Sequence, residues 1–587
     1  MMRERQHGPL ILPGGGVTFR LWAPAANQVE IVTEMEVVAA TPRDGGWHDA
    51  TIADARAGEH YKFRIDGDID VPDPGSQFQP NDVQGPSEVI DHAYDWQATN
   101  WRGRPWHEAI LLELHVGAFT ARGDYRGVIE KLDHIVDTGF TAIELMPLSD
   151  FPGRWNWGYD GVLPFAPDSV YGTPEDLKAL IDAAHARGLM VFLDVVYNHF
   201  GPEGNYLHRY APAFFTEDAH TPWGAAIDYN VPQVRAFAIE NALHWLEHYR
   251  FDGLRLDAVH AIAARGTPPI LTALSEAVGE LAARSGRLIH LVLENDDNET
   301  SLLDPAEQPS RGKHHAQWND DYHHAWHALL TGEDAGYYSD YHAQELLPRV
   351  LSSGFAYQGE PSTHRGGKPR GEPSGMLPAP AFVSFLQNHD QIGNRARGER
   401  LDVLAPAAAV EAALAVTLLA PMPPLMFMGE EWGATQPFPF FCDFKGELAD
   451  AVREGRRREF KEAYERQGED GDIPDPLDEA TFRSAVLDWS AQNKARLALV
   501  KRLLRVRRET IIPRLMPLGP RGDTASFDDG VLTAAFQITG GTLSLLANLT
   551  HAESAKLSAF SPPHMIWGDV PPGTLPAWSV FWGWSER

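Results

Sequence analysis

The chain has 587 residues, with 50 Lys and Arg against 81 Asp and Glu, and its formal net charge at pH 7 is −31. This length predicts two to four domains, one of them with a deep core, and the negative charge makes nucleic acid and membrane surfaces poor partners. Cys442 is the single cysteine, which excludes an intrachain disulfide, and no CxxC or Cys/His cluster along the sequence offers a metal site, so we expect no metal and no cofactor.

Two apolar segments bear on localisation. The run at the N-terminus is short and is broken by Pro13 and several glycines, so it does not resemble a secretory signal. The stretch 403–428 contains Glu411 and four prolines, which predicts a buried helix followed by a strand rather than a membrane span. We therefore expect a cytoplasmic protein.

The first 90 residues have the period of half-buried strands. Apolar and polar residues alternate over 17–21 and again over 61–65, and turn-rich pieces separate such runs. This pattern predicts a small immunoglobulin-like β-sandwich over residues 1–90. A proline-rich connector, 72–86, closes it.

From residue 91 to about 510 the rhythm changes to apolar strand, polar loop and amphipathic helix. The helix predicted to begin after Thr173 has a capping-box pattern with Pro174 at its first position. Seven strand-like runs are visible: 110–114, 141–145, 190–196, 253–257, 289–293, 382–386 and 425–428. An eighth is expected near 318–324 or within 337–356, which completes a (β/α)8 TIM barrel of the α/β class.

A doubly wound open sheet is the alternative to the barrel. The barrel is favoured because no Gly-x-Gly-x-x-Gly turn follows a strand and because polar residues end many different strands. After a helix predicted over 493–508, alternating runs near 532–537, 543–546 and 578–582 predict a C-terminal β-sandwich over residues 511–587.

The polar residues that end the predicted strands should meet at one rim of the barrel. They are Asp194 with Asn198 and His199, Arg255 with Asp257, Glu294, and His389 with Asp390. Carboxylates held in one pocket repel each other, so one stays protonated while another is ionised, and retaining glycosidic cleavage needs this division.

The neighbours of two carboxylates indicate their roles. Arg255 lies two residues before Asp257 and therefore on the same face of the strand, where its charge should keep Asp257 ionised as the nucleophile. Glu294 follows a largely apolar run, so burial should raise its pKa and suit it to act as the acid and later the base.

Four segments together resemble the motifs of the α-amylase superfamily: 194–199, 253–260, 291–295 and 387–394. The resemblance implies a retaining α-glucosidic mechanism with Asp257 as nucleophile, Glu294 as acid and base, and Asp390 as stabiliser of the transition state. It further implies that the sugar at the cleaved position is held by Tyr159, His199, Arg255 and His389.

Within that superfamily, the segments 73–80, 155–161, 317–325 and 428–433 are similar to the maltooligosyltrehalose trehalohydrolases. This similarity implies hydrolysis of the α-1,4 bond next to a terminal trehalose, with maltooligosyltrehalose and maltodextrin as substrates, in sequence with a maltooligosyltrehalose synthase. The residues it implies around the glucose pair beyond the cleaved bond are Asn319, Asp320, Asp321, Tyr322 and His323, with His260 and Gln391 as further substrate contacts.

Two other functions remain open at this point. A glucan-branching transferase would share the N-terminal sandwich and the Gly-Tyr-Asp-Gly run, whereas the segment 317–321 favours the trehalohydrolase. A glucan-binding protein without turnover is disfavoured because binding alone does not need a nucleophile beside an acid.

Overall fold

The computed structural model describes residues 5–221, 224–262, 266–461, 473–517, 522–554, 560–569 and 573–587. A barrel of eight parallel strands forms its centre. The strands, here β1 to β8 in chain order, are Leu111–Leu114, Ala142–Leu145, Met190–Val196, Gly253–Asp257, His290–Leu293, Ala316–Trp318, Phe382–Val383 and Leu425–Phe427. Strands β1 to β7 pair in parallel in chain order, and β1 also pairs with β8. A parallel bridge from Ser384 to Pro424 closes the circle between β7 and β8, so the predicted barrel is confirmed.

The eighth strand predicted from the sequence is β6, three residues long. It includes Trp318 but lies just before most of the predicted stretch, because a helix begins at Asp320. Its central residue, Gln317, is polar and donates from Nε2 to the Asn295 carbonyl at 2.9 Å. A polar residue inside so short a strand leaves no apolar run to recognise. Residues 337–356 contribute a 3₁₀ turn, Gly336–Asp340, and the helix Leu346–Ser353 instead.

Helices cover the outside of the barrel. The capping box predicted at Thr173 is present, because Thr173 and Asp176 accept hydrogen bonds from each other's backbone N–H groups. In the described part of the chain, the α-helices are Val116–Phe119, Tyr125–Ile129, Leu132–Thr138, Pro174–Ala186, Leu207–Tyr210, Pro232–His248, Val259–Ile262, Ile270–Ser285, Asp320–Thr331, Leu346–Ser353, His389–Gly393, Leu401–Leu404, Ala407–Leu419, Gly446–Glu459, Glu479–Ala485 and Lys494–Val506.

The most apolar segment of the sequence is a buried helix, Ala407–Leu419, followed by β8, as predicted. Among the described residues, no helix has both the length and the apolar character needed to cross a membrane.

Two antiparallel sheets precede the barrel and face each other. One contains Leu10–Ile11, Val17–Trp22, Thr41–Arg43 and Trp47–Ile52, and the other Val29–Thr33, Val37–Ala39, His60–Ile65, Ile69–Val71 and Ser87–Glu88. The rings of Phe19 and Tyr61, one from each sheet, pack with centroids 4.6 Å apart. The alternation read from the sequence therefore corresponds to strands that bury one face in a sandwich.

The C-terminal strands form a five-stranded antiparallel sheet in the described part of the chain. They are Thr524–Asp528, Val531–Ile538, Gly541–Asn548, His564–Trp567 and Ser579–Glu586. The indole of Trp582 donates to the Ala415 carbonyl at 3.0 Å, which ties this sheet to the barrel helix Ala407–Leu419. The limits given above for the three domains stay predictions.

Candidate active site

Arg255 links two carboxylates at the carboxyl end of the barrel. Its Nη1 donates to both oxygens of Asp194 at 3.0 and 2.8 Å and to Asp257 Oδ1 at 2.7 Å. The register explains this contact, because Arg255 of β4 pairs directly with Asp194 of β3 and shares a face of its strand with Asp257. Burial raises the pKa of Asp194 to about 6 although Arg255 opposes the shift. The guanidinium also lies over the Trp318 ring, 4.2 Å from its centroid.

A chain of polar groups connects Asp194 to the barrel interior. Tyr159 donates its hydroxyl proton to Asp194 Oδ2 at 2.6 Å, and the same hydroxyl lies 2.8 Å from His389 Nε2. The other ring nitrogen of His389 bonds the Glu113 carboxylate of β1, which also accepts from the His389 backbone N–H at 3.0 Å. Burial lowers the pKa of His389, but the charge and hydrogen bond of Glu113, together with the charge of Asp390, more than offset burial, and the net pKa is raised. His389 is therefore held as a donor toward Tyr159.

Glu294 sits beyond the end of β5, next to Asp257. Its pKa is raised well above the usual carboxyl value, first by burial, while the charges of Asp257, Asp320 and Asp390 add to the rise and Arg255 opposes it. Its Oε2 accepts from the Ala258 backbone N–H at 2.6 Å. The raised pKa of Glu294 and the contact of Asp257 with Arg255 match the two environments expected from the sequence.

Two more side chains position these groups. Asn198 Nδ2 donates to Asp257 Oδ2 at 3.0 Å. His199 is buried, which lowers its pKa, and its Nε2 lies 2.8 Å from the Tyr159 carbonyl. One hydrogen-bonded group therefore contains five of the predicted residues: Tyr159, His199, Arg255, Asp257 and His389.

A cleft of about 200 Å³ opens beside Glu294. Asp390 is exposed at its edge and accepts from Asn394 Nδ2 at 2.7 Å, and Gln391 Nε2 donates to Asp320 Oδ1 at 3.0 Å. Burial and the charge of Asp390 raise the pKa of Asp320 to about 7. The lining residues are Glu294, Asp296, Asp320, His324, Tyr337, Asp340, Tyr341, Ser362, His364, Arg370, Asp390, Gln391 and Asn394.

Most of the predicted segment 319–323 does not reach this cleft. Asp321 is fully buried and accepts from Arg370 Nη1 at 2.6 Å and from the Ala356 and Tyr357 backbone N–H groups. Asn319, Tyr322 and His323 are also buried, and they bond the Gly354 carbonyl, the Thr417 hydroxyl and the Leu386 carbonyl. Within this segment only Asp320 lines the cleft.

His260 also lies outside the lining of the cleft. Its Nδ1 accepts from the Asp296 backbone N–H at 3.2 Å, and Asp296 itself borders the cleft. His260 therefore supports one wall of the cleft through Asp296.

Several residues of this region were not predicted from the sequence. Glu113 had a recognisable signal, because it is the only charged residue in the apolar run 110–114. Ser362, His364 and Arg370 had no such signal, because a two-residue strand, Pro361–Ser362, and irregular segments have no periodicity to read. In the described part of the chain, the one group of three side chains with metal-like spacing lies away from this site and consists of His92, His244 and His248.

The family model for the α-amylase catalytic domain matches residues 94–217. The chain is 41% identical over 560 residues to a malto-oligosyltrehalose trehalohydrolase of Deinococcus radiodurans, with 93% of this chain and 91% of that protein covered. A protein of the same name from Saccharolobus solfataricus is 39% identical over 84% of this chain and 85% of its own length.

A 1,4-alpha-glucan branching enzyme of Mycobacterium bovis is 35% identical, but only over 42% of this chain and 37% of that enzyme. Among solved structures, a candidate α-amylase from Salmonella typhimurium superposes with a TM-score of 0.94 at 40% identity and covers 99% of this chain and 100% of its own. The similarity thus extends over the flanking sheets as well as the barrel.

Proposed function

The chain belongs to the malto-oligosyltrehalose trehalohydrolase family of the α-amylase superfamily, and we propose from this premise how its residues carry out the reaction. The enzyme is a retaining glycoside hydrolase that cuts the α-1,4 bond next to the terminal trehalose of a maltooligosyltrehalose and releases trehalose and a maltooligosaccharide. The observation that carries the assignment of roles is the pairing of a carboxylate bound by Arg255 with Glu294, whose pKa is raised.

In the first step, an Asp257 oxygen attacks the anomeric carbon as Glu294 gives its proton to the leaving glycosidic oxygen. The bond from that carbon to the leaving oxygen breaks, trehalose departs, and a covalent glycosyl ester forms on Asp257. Arg255 and Asn198 hold the two oxygens of Asp257 and so fix its carboxylate for this attack.

In the second step, the now ionised Glu294 takes a proton from water, and the resulting hydroxide attacks the same carbon from the side that trehalose left. The ester bond to Asp257 breaks, and the maltooligosaccharide leaves with its α configuration kept. Asp390 at the edge of the cleft stabilises the positive charge that develops on the sugar ring in both steps.

The cleft beside Glu294 suits the leaving trehalose. Glu294 must stand next to the leaving group, and among the described residues Tyr159, His199 and His389 do not line this cleft. We therefore place the cleaved glucose among those three residues and trehalose in the cleft. The many polar side chains of its lining match the hydroxyl groups of a kinked, non-reducing disaccharide.

Product analysis tests the function. With maltotriosyl-trehalose we expect trehalose and maltotriose, and a kcat/KM roughly 10²-fold or more above that for maltopentaose. The reason is that a straight maltose unit would leave at least two polar groups of the cleft unpaired, at about 1–3 kcal/mol each. Equal rates on the two substrates would show a general α-glucan hydrolase. A branching enzyme would instead transfer amylose chains to α-1,6 branch points, and iodine staining of the amylose would reveal that transfer.

One histidine tests the position of trehalose within the cleft. His364 is exposed and lines the cleft. We expect His364→Ala to lower kcat/KM on maltotriosyl-trehalose by about 3- to 10-fold, the value of one hydrogen bond, with little change on maltopentaose. His342→Ala is the matched control, because His342 is an exposed histidine outside the lining. Equal losses on both substrates would contradict a trehalose contact.

The substrate must itself be formed by an enzyme that turns the reducing end of a maltodextrin into a trehalose unit. We propose that the enzyme acts after a maltooligosyltrehalose synthase, in the cytoplasm. The net charge of −31 supports neutral sugars as binding partners rather than nucleic acid or membrane surfaces.

A further inference from the structure

A cavity of about 480 Å³ lies at the amino end of the barrel, opposite the candidate active site. It is found where the helices Pro232–His248 and Ile270–Ser285 end. These helices lead into β4 and β5, whose other ends carry Asp257 and Glu294, so the cavity is separate from the catalytic cleft. Its lining residues are Thr99, Trp101, Arg102, Glu247, Arg250, Leu281, Arg284, Ser285 and Arg287.

The charge of this cavity is opposite in sign to that of the whole chain. Arginines make up four of its nine lining residues, and Glu247, which pairs with Arg284, is the single carboxylate among the described lining residues. Asp252 is fully buried outside the lining and lies 3.5 Å from Arg287 Nη2. The cations around the cavity therefore outnumber the carboxylates, in a chain whose net charge is −31.

Backbone carbonyls fix Arg287 in the wall of the cavity. Its Nη1 donates to the Leu246 carbonyl at 2.7 Å, and its Nη2 donates to the carbonyls of Arg250 and Phe251 at 2.7 and 2.6 Å. Its Nε is buried without a partner among the described residues. Because these bonds hold the side chain in one place, Arg287 supplies a fixed positive charge.

Arg102 and Arg250 have unused hydrogen-bond donors. Arg102 is exposed, and in the described part of the chain only its Nη1 donates, to the carbonyls of Thr99 and Trp101 at 3.1 and 2.8 Å. The Arg250 guanidinium lies over the Trp96 ring, 4.4 Å from its centroid, and donates no hydrogen bond to a described residue. A guanidinium carries five N–H donors in a planar fork that matches the oxygens of a phosphate group.

Arg250 has a backbone conformation that favours glycine. Its φ is +60°, in the left-handed region, two residues after the end of the helix Pro232–His248. Burial lowers the pKa of its guanidinium, and the charges of Arg287 and Arg102 add to the fall, while Asp182 opposes it. The protein thus holds a cation where the backbone and two other cations disfavour it. A bound anion would relieve the repulsion between the guanidiniums.

We propose that Arg102 and Arg250, together with the fixed charge of Arg287, bind a phosphate group, either free or as the ester of a small molecule. Guanidiniums bind phosphate oxygens through paired, charge-assisted hydrogen bonds, and the negative charge balances the excess of cations. The volume of the cavity is in the range of small-molecule sites. Arg102 precedes the barrel and Arg250 follows a barrel helix, so the bound anion joins two segments that are distant in the sequence.

Isothermal titration calorimetry of the full chain in a phosphate-free buffer tests the site. The probes are potassium phosphate and glucose 6-phosphate, and glucose is the control for binding of the sugar alone. We expect one site per chain with a Kd below about 1 mM for at least one probe, and weaker binding as KCl is added, because salt screens the charges. Tighter binding of glucose 6-phosphate would identify a phosphate ester as the ligand, and equal binding would identify the phosphate group alone.

Two variants remove the guanidiniums that have unused donors. Arg250→Gly suits the left-handed backbone and Arg102→Gln changes an exposed side chain, so we expect both variants to fold with a Tm close to that of the parent. Each should raise the Kd by about 10-fold or more, because charge-assisted hydrogen bonds are lost.

The matched control is Arg458→Gln, which removes the same charge at a 74% exposed arginine of the helix Gly446–Glu459. Its Kd should equal that of the parent. If neither probe bound to the parent chain, or if the Kd were unchanged in both cavity variants, the proposal would be overturned.

Discussion

Asp257→Asn is expected to lower kcat on maltotriosyl-trehalose by about 10⁴-fold or more, as is usual for an essential catalytic residue. The amide is a poor nucleophile and cannot form the glycosyl ester. Arg255 would keep its two bonds to Asp194, so the barrel should remain folded. Steady-state release of trehalose measures the loss, and calorimetric titration with the uncut substrate should still show binding.

The matched control is Asp133→Asn, the same change at an 80% exposed carboxylate that pairs with Arg187 on the barrel surface. It should leave kcat unchanged, because the pair lies at the surface and is worth at most about 1 kcal/mol to stability. More than about one hundredth of parental turnover in Asp257→Asn would show that another group is the nucleophile.

Glu294→Gln is expected to lower kcat on maltotriosyl-trehalose by about 10²- to 10⁴-fold, the usual contribution of general acid and base catalysis. An α-maltotriosyl fluoride needs no protonated leaving group, so the variant should still form the ester on Asp257. Without the base, the ester should accumulate. Rapid mixing should therefore show a burst of about one fluoride ion per chain, and added azide, which needs no base, should restore turnover.

The pH profile gives an independent check on Glu294. Because its pKa is raised, the carboxyl is protonated and active below that pKa, and kcat/KM should fall as the pH rises through it. Glu294→Gln should lack this alkaline fall. Glu280→Gln, at an exposed position of the helix Ile270–Ser285, should keep the parental pH profile.

The fluoride experiment can contradict the catalytic assignment. If Glu294→Gln gave no burst of fluoride, Glu294 would have a structural role instead.

The sequence by itself determined the barrel and the group of polar residues at one of its rims. Most of the buried parallel strands are near-continuously apolar, and polar residues that follow such runs stand at one end of the barrel. Alternation along a strand placed Arg255 and Asp257 on one face, and the contact between them follows directly. The same reasoning could have identified Glu113, the charged residue inside β1.

Only the tertiary structure decided which residues of 319–324 face the cleft. Because a helix begins at Asp320, successive side chains turn by about 100°. Asp320 and His324, four residues apart, share the side that lines the cleft, whereas Asp321, Tyr322 and His323 turn into the protein. The meeting of His92 with His244 and His248 also depends on how the segment before the barrel crosses the helix Pro232–His248. Local sequence specifies strands, helices and the faces they present, but contacts between distant segments exist only once those elements have packed.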